Sequence, residues 1–176
     1  MVIEIGFGMG KATWEIALNR PDTNFLGIEV HRNGVGKLMA ELNQRDICNV
    51  RIINDDALKV LKESVPNGSV EGFHIFFPDP WPKKRHHKRR LIQHSNIDTL
   101  VKKLKPEGYI YAVTDWEEYA HQMLQTLEDT PGLKNEFDSF AEPISWRPET
   151  RFEEKGLEKG HSINEVFFIN YPEGCR

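Results

Sequence analysis

Short apolar segments alternate with amphipathic segments along most of this chain, and that alternation constrains the fold more than any other feature. Apolar residues recur at the spacing i, i+3, i+4, i+7, as at Val35, Leu38, Met39 and Leu42, which indicates helices with one buried face. Five apolar runs between such segments are predicted to be buried strands: Val2 to Ile5, Phe25 to Val30, Val50 to Ile53, Phe73 to Phe77 and Tyr109 to Thr114. We therefore predict a doubly wound, Rossmann-like α/β fold with a mainly parallel sheet.

The last third of the chain departs from this alternation. Val166 to Tyr171 is a strong strand candidate and Asp138 to Phe140 a weak one. No long helix is predicted between them, so we expect them to pair antiparallel at an edge of the sheet. The polar segment from Pro143 to His161 is predicted to be a loop. Because the chain has 176 residues, we expect a single domain spanning residues 1–176.

Composition and termini narrow the class of protein. No apolar run reaches membrane-spanning length and no signal peptide is evident, so we expect a cytoplasmic protein without a membrane partner. The spacing of Cys48 and Cys175 suggests neither a disulfide framework nor a zinc site, and no metal is expected. The first predicted strand, central in this fold, begins one residue after Met1, so we expect an N-terminally shortened version of a longer protein.

A glycine-rich turn follows the first predicted strand. Gly6, Gly8 and Gly10 allow close backbone approach, and the N-terminus of the following helix favours an anionic group. The dinucleotide fingerprint G-x-G-x-x-G would need glycine at Lys11, which argues against a dehydrogenase. The spacing G-x-G-x-G is typical of the nucleoside pocket of S-adenosylmethionine (SAM) enzymes, although a tight turn without a ligand would use the same glycines.

Acidic residues follow the next four predicted strands, at the edge where open parallel sheets bind ligands. Glu29 has the separation from the glycines at which an acid reaches ribose hydroxyls. In Asn54-Asp55-Asp56, a carboxylate could accept from the adenine amine or cap the next helix, and we predict capping for Asp55. Asp79 and Asp115 complete a predicted binding rim.

One of these acids stands beside a dense cationic run. Asp79 lies between Pro78 and Pro80, which restrict its backbone. Residues 83–90 hold six Lys or Arg and no acid in a chain of net charge −4, so the other residues carry −10. A local cationic patch indicates an anionic partner, usually nucleic-acid phosphate, although a solvated loop has the same composition.

Taken together, these motifs resemble the bacterial tRNA (guanine-N(7)-)-methyltransferase family. The resemblance rests on Glu4 to Gly10, Gly27 to His31, Phe76 to Trp81 with Lys83 and the basic run, Thr114 to Trp116, and Thr150 to Glu153. It implies methyl transfer from SAM to nitrogen 7 of guanosine 46 in the tRNA variable loop. A catalytically silent tRNA-binding protein and a methyltransferase with another acceptor are the alternatives.

The resemblance also implies roles for individual residues. The residues expected at the SAM site are the three glycines of the turn and four acids: Gly6, Gly8, Gly10, Glu4, Glu29, Asp56 and Asp79. Those expected to contact the tRNA substrate are Lys83, Asp115, Thr150, Arg151, Phe152 and Glu153. Nitrogen 7 of guanine has a free lone pair, so a general base is unnecessary. We expect Asp79 to act catalytically by stabilising the positive charge that moves onto the base.

Overall fold

A seven-stranded sheet organises the chain, and the computed structural model describes residues 1–171. The strands are β1 (Val2–Ile5), β2 (Phe25–Ile28), β3 (Val50–Ile53), β4 (Val70–Phe76), β5 (Leu104–Thr114), β6 (Leu133–Asn135) and β7 (Asn164–Asn170). The helices are α1 (Lys11–Asn19), α2 (Arg32–Gln44), α3 (Ala57–Ser64), α4 (His94–Lys103), α5 (Glu117–Glu128) and α6 (Arg151–Glu158), with a 3₁₀ helix at Lys84–Arg89.

The strand order is β3-β2-β1-β4-β5-β7-β6. Strands β1 to β5 pair parallel, whereas β7 pairs antiparallel with both β5 and β6. The predicted fold class, a mainly parallel α/β sheet with an antiparallel edge, is confirmed.

Apolar residues cover the sheet on both faces. Ile16 of α1 and Leu38 of α2 belong to one buried cluster. Leu61 of α3, Leu100 of α4 and Met123 of α5 belong to the other. Each fully buried side chain of this size stabilises the fold by roughly 1.5–3 kcal/mol relative to its exposed state. The two faces therefore receive the helices that a doubly wound fold requires.

The predicted edge strand at Asp138 to Phe140 is wrong, because the strand lies at Leu133–Asn135 instead. The side chain of Asn135 accepts a hydrogen bond from the Phe137 amide at 3.1 Å and donates one to the Ser139 carbonyl at 2.9 Å. These local bonds turn the chain immediately after β6, so residues 138–140 cannot continue the ladder.

The predicted loop from Pro143 to His161 is also wrong in part, because it contains α6. The Thr150 side chain caps this helix by accepting from the Glu153 amide at 3.3 Å. At the other end, Gly160 has φ +75°, and the amides of Gly160 and His161 donate to the carbonyls of Leu157 and Gly156. This is a Schellman motif, so both helix ends carry the expected stop signals.

Two observations bear on the predicted class of protein. None of the helices within residues 1–171 is long and apolar enough to cross a membrane. Cys48 is an exposed free thiol, and Cys175 lies outside the described residues.

Candidate functional site

The carboxyl ends of β1, β4 and β5 lie side by side at one edge of the sheet. Helices α1 and α4, which follow β1 and β4 in the chain, pack on opposite faces. Strand order therefore reverses between β1 and β4, and such a reversal leaves a crevice in which α/β proteins bind ligands. The glycine turn, residues 6–10, follows β1, while Asp79 and Asp115 follow β4 and β5.

The glycine turn has a backbone that few other residues adopt. Gly6, Gly8 and Gly10 have φ values of +73°, +56° and +78°, in the left-handed region that a Cβ atom disfavours. A Cβ atom on Gly34 of α2 would lie only 2.0 Å from the Gly8 carbonyl oxygen. Gly34 therefore lets α2 approach the turn, a requirement that our sequence analysis missed. Its sequence signal is a glycine in the first turn of a helix, where glycine is unfavourable.

Glu29 braces the glycine turn from the end of β2. One carboxylate oxygen accepts from the Gly8 amide at 2.8 Å and the other from the His31 amide at 2.9 Å. The residue is buried, and its own carbonyl accepts from the Asn54 side chain. Each carboxylate oxygen has a second lone pair, so Glu29 can hold the turn and still accept from a ligand hydroxyl.

The capping prediction at the end of β3 is off by one residue. Asp56, not Asp55, is the N-cap of α3, because its carboxylate accepts from the Lys59 amide at 2.9 Å. Asp55 instead accepts from the Asp56 amide and pairs with the Lys59 ammonium at 2.7 Å. Both carboxylates therefore have local partners, and Asp56 is the more exposed of the two.

Glu4 is a carboxylic acid in the centre of the sheet. It lies on β1 between Gly27 of β2 and His74 of β4, and it is 4% exposed. Burial raises the pKa of Glu4 to about 7; the Thr13 hydroxyl opposes this shift and the Glu29 charge adds to it. A cation bound in the crevice would favour the ionised form of Glu4.

The loop of residues 77–82 carries Asp79 out from the end of β4. Phe77 and Trp81 have φ values of +51° and +45°, which are unfavourable for large side chains. Asp79 is exposed between them, and the Pro80 carbonyl accepts from the Arg90 guanidinium at 2.8 Å. The hydrogen bond from Arg90 therefore helps to hold the loop in a backbone that costs roughly 1–3 kcal/mol per strained residue.

Arg90 is not a free cation of the basic run. Its side chain is fully buried, and it donates to the Glu118 carboxylate at 3.1 and 2.5 Å and also to Gln122. The guanidinium lies 4.6 Å from the centre of the Tyr119 ring. The hydrogen bond from Arg90 holds the pKa of Glu118 below its usual range. Arg90 thus ties the basic run and the Asp79 loop to α5.

The remaining cations of the run form what we call the basic surface: Lys83, Lys84, Arg85, Lys88 and Arg89, all exposed. Most of them lie on the 3₁₀ helix. Arg89 lies 4.8 Å from the centre of the Trp81 ring, and His86 meets the same ring edge-on. Trp81 therefore packs against its own basic segment and is only partly buried.

The first turn of α6 lies over the crevice. Phe152 stacks on Phe77 with ring centres 6.2 Å apart, and a Cβ atom on Gly8 would lie 3.7 Å from the Phe152 ring. Phe152 is 58% exposed despite these contacts. Arg151 is also exposed, whereas the capping residue Thr150 is buried. The chain therefore brings Thr150, Arg151 and Phe152 next to the glycine turn and the end of β4.

Glu153 belongs to a buried polar network. Arg147 donates to both of its carboxylate oxygens, at 2.5 and 2.9 Å, and to Glu165 of β7 at 2.7 Å. It also donates to the Tyr111 hydroxyl at 3.0 Å, and Tyr111 in turn donates to Glu165. Arg147, which our sequence analysis missed, anchors α6 to β5 and β7. Its role depends on contacts between distant residues, so no local pattern signals it.

Asp115 lies directly after β5 and is partly buried. One of its carboxylate oxygens accepts from Nδ1 of His161 at 3.0 Å. His161 was also missed by our sequence analysis, although the Gly160-His161 pair after a capped polar segment is a helix-stop signal.

Comparisons with known proteins agree with this geometry. A family model described as "Putative methyltransferase" matches residues 1–166. A tRNA (guanine-N(7)-)-methyltransferase of Ralstonia pickettii is 52% identical over 95% of this chain and 65% of its own length. One of Chromobacterium violaceum is 50% identical over 95% of this chain and 74% of its own length.

The chain belongs to the tRNA (guanine-N(7)-)-methyltransferase family. It spans slightly less than two thirds of the Ralstonia pickettii relative. Solved structures with the same fold include an rRNA methylase from Streptococcus thermophilus, with a TM-score of 0.63 at 13% identity over 97% of this chain and 86% of that one. A precorrin-6y C5,15-methyltransferase from Geobacter metallireducens has a TM-score of 0.64 at 15% identity over 96% and 77%.

Replacing Glu4 with Gln tests the buried acid. Because the folded state raises the pKa of Glu4 from 4.5 to about 7, the stabilising contribution of this proton is complete below pH 4.5 and is lost as the pH rises to about 7. We expect Glu4→Gln to match the parent near pH 4.5 and to be more stable by roughly 1–3 kcal/mol at pH 8. Urea unfolding at both pH values measures this difference.

Glu63→Gln, at an exposed position of α3, serves as the control and should leave the pH profile unchanged. An equal difference between Glu4→Gln and the parent at both pH values would contradict the assignment.

Proposed function

We propose that this chain transfers a methyl group from SAM to nitrogen 7 of guanosine 46 in the variable loop of tRNA, in the cytoplasm. The names of its relatives support this proposal. The observation that carries it is the placement of the glycine turn and the Asp79 loop on the adjacent strands β1 and β4, with the basic surface following directly in the chain. A donor site and a polyanion site therefore meet at one crevice.

The residues of the crevice fit SAM. A Cβ atom on Gly6 would have no neighbour within 4 Å, so there is open space beside the glycine turn at this position. Glu29 offers lone pairs for ribose hydroxyls, and Asp56 is exposed at the end of β3, where it could accept from the adenine amine. The two buried acids Glu4 and Glu29 favour a ligand that carries positive charge. SAM, when bound, would supply an electrophilic methyl group on a sulfonium.

Asp79 is our candidate for the catalytic group. Guanine N7 would attack the methyl carbon with its own lone pair while the bond from that carbon to sulfur breaks, and the sulfur would leave as a neutral thioether. No residue has to remove a proton from N7. Positive charge then moves onto the imidazole ring of the base, and an exposed carboxylate in a fixed loop stabilises that charge. The prolines on either side and the hydrogen bond from Arg90 to the Pro80 carbonyl limit the motion of Asp79. Positioning of the two substrates supplies the rest of the acceleration.

On the acceptor side, the proposed tRNA contacts fall into two groups. Lys83 and the rest of the basic surface would bind phosphates, which position the RNA without reading its sequence. Asp115, Thr150, Arg151 and Phe152 lie at the crevice and would contact the nucleotide that receives the methyl group. Glu153 lies in the same segment, but its carboxylate is bound by Arg147. We therefore propose that Glu153 stabilises the position of α6 and does not contact the tRNA.

Methyl transfer from labelled SAM to an unmodified tRNA transcript tests the proposed function. We expect labelling of the parent transcript and none when only guanosine 46 is replaced by adenosine. Equal labelling of both transcripts would indicate another acceptor. Tight tRNA binding without labelling, and without heat on titration with SAM, would indicate a silent tRNA-binding protein.

Replacing Asp79 with Ala tests the catalytic role. We expect the rate of methyl transfer at saturating substrates to fall about 100-fold or more, because preorganised charge stabilisation is lost. The affinity for SAM, measured by calorimetry, should stay within a few-fold of the parent. Asp98→Ala, at an exposed position of α4, is the matched control. Near-normal turnover of Asp79→Ala would refute the assignment.

Neutralising the basic surface tests the RNA interface. Replacing Lys83, Lys84 and Arg85 with Gln should weaken tRNA binding and reduce the slope of log K against log salt by roughly one unit per lost phosphate contact. The same change at the exposed lysines Lys62, Lys105 and Lys134 should leave the slope unchanged. An unaltered slope in the first variant would make the basic surface a solvated segment.

A further inference from the structure

The C-terminal end of α6 directs His161 at Asp115. In the Schellman motif, the left-handed Gly160 turns the chain, and the His161 amide returns to the Gly156 carbonyl at 3.0 Å. This geometry places the imidazole against the end of β5, where Nδ1 lies 3.0 Å from Oδ2 of Asp115. The His161 ring also meets the Trp116 ring edge-on. Three contacts therefore fix the position of this histidine: its amide with Gly156, its Nδ1 with Asp115 and its ring with Trp116.

The same helix approaches Asp115 closely along its side. A Cβ atom on Gly156 would lie 3.0 Å from Cβ and 3.2 Å from Oδ2 of Asp115. Glycine at this position lets α6 pack against the carboxylate without displacing it. Asp115 is therefore confined by the bare backbone of Gly156 on one side and by the His161 imidazole on another.

The chemistry of the pair is fixed by the carboxylate. An ionised carboxylate only accepts hydrogen bonds, so Nδ1 of His161 must carry the proton. The C-terminus of a helix, with its partial negative charge, also favours a proton donor at this position. Within residues 1–171, Oδ1 of Asp115 has no hydrogen-bond partner, and the side chain is 29% exposed. One oxygen is thus held by the protein and the other can accept from a ligand.

We propose that His161 is a positioning residue of the methyl-acceptor site: it fixes one oxygen of Asp115 so that the other is presented to an N–H or O–H donor of the acceptor nucleotide. This inference rests on the proposed function, because it assigns the donor to the tRNA guanosine. Asp79 and Asp115 follow the adjacent strands β4 and β5, so a base beside one carboxylate can be oriented by the other. His161 itself need not touch the RNA.

Three substitutions at one position separate positioning from general stability. His161→Ala removes the donor, and we expect kcat/KM for the tRNA transcript to fall about tenfold or more, as for loss of a hydrogen bond to a charged group. His161→Asn keeps a donor near the place of Nδ1 and should recover most of this loss, whereas His161→Gln should not. Calorimetry with SAM should give the same affinity for all three variants.

A double-mutant cycle then links the effect to Asp115. In an Asp115→Ala background, His161→Ala should cause no further loss, because the oxygen that it positions is gone. His121→Ala, which removes another imidazole packed against an aromatic ring, is the matched control and should leave kcat/KM unchanged. Independent, additive losses, or Asn and Gln variants that behave alike, would overturn the proposal.

A measurement on the full chain without RNA separates failure of this inference from failure of the proposed function. Nitrogen-15 NMR of the histidine rings should show the His161 proton on Nδ1 in the parent and a change of its state in Asp115→Ala. A proton on Nε2 alone in the parent would overturn the pair. If no transcript is methylated but the proton is found on Nδ1 of His161, the proposed function fails. The hydrogen-bonded pair of His161 and Asp115 is then still supported.

Discussion

The reversal of strand order between β1 and β4 is the constraint on which the rest of the structure depends. The two strands lie side by side, but the chain leaves them toward opposite faces of the sheet. The segments that follow the two strands consequently diverge, and a crevice opens between them at the carboxyl ends of the strands. The glycine turn and the Asp79 loop border that crevice as strand ends, and the first turn of α6 folds back over it. The fold thus determines where chemistry can occur before any side chain is considered.

Two buried arginines keep the irregular segments at the crevice in place. Arg90 connects the Asp79 loop and the basic surface to α5, while Arg147 connects α6 to β5 and β7. Neither segment has a ladder of backbone hydrogen bonds to the sheet, so the guanidinium forks take over that function. The Glu153 and Glu165 partners of Arg147 are buried, and breaking a buried ion pair by removing one partner costs about 3–5 kcal/mol in proteins. The Glu118 partner of Arg90 is 57% exposed, so solvent screens that pair. The irregular segments at the crevice are thus held by charge pairs, and the core by apolar contacts.

The sequence predicted what depends on local patterns. Continuous apolar runs predicted the five parallel strands and β7, the 3.6-residue apolar spacing predicted amphipathic helices such as α2, and the glycines predicted the turn after β1. Arg90 could not be separated from the neighbouring cations, because its burial depends on Glu118 and Gln122, about thirty positions later in the chain. Helix α6 carried its own signals in Thr150, Glu153 and Gly160, but its polar composition favoured a loop. The sequence could not show whether Asp55 or Asp56 caps α3, because the two residues are chemically identical neighbours. The choice depends on which carboxylate reaches the Lys59 amide in the folded chain.

Electrostatics connects the two halves of the crevice. On the side of the glycine turn, Glu4 and Glu29 are buried close enough for the charge of one to raise the pKa of the other. On the side of the Asp79 loop, the basic surface supplies positive charge to solvent. A ligand with a positive centre is therefore favoured at the first side and a polyanion at the second, so the two substrates of the proposed reaction are sorted by charge. Because the pKa of Glu4 is about 7, binding of a cationic ligand near neutral pH would release a proton from it, and the affinity for that ligand would increase as the pH rises through 7.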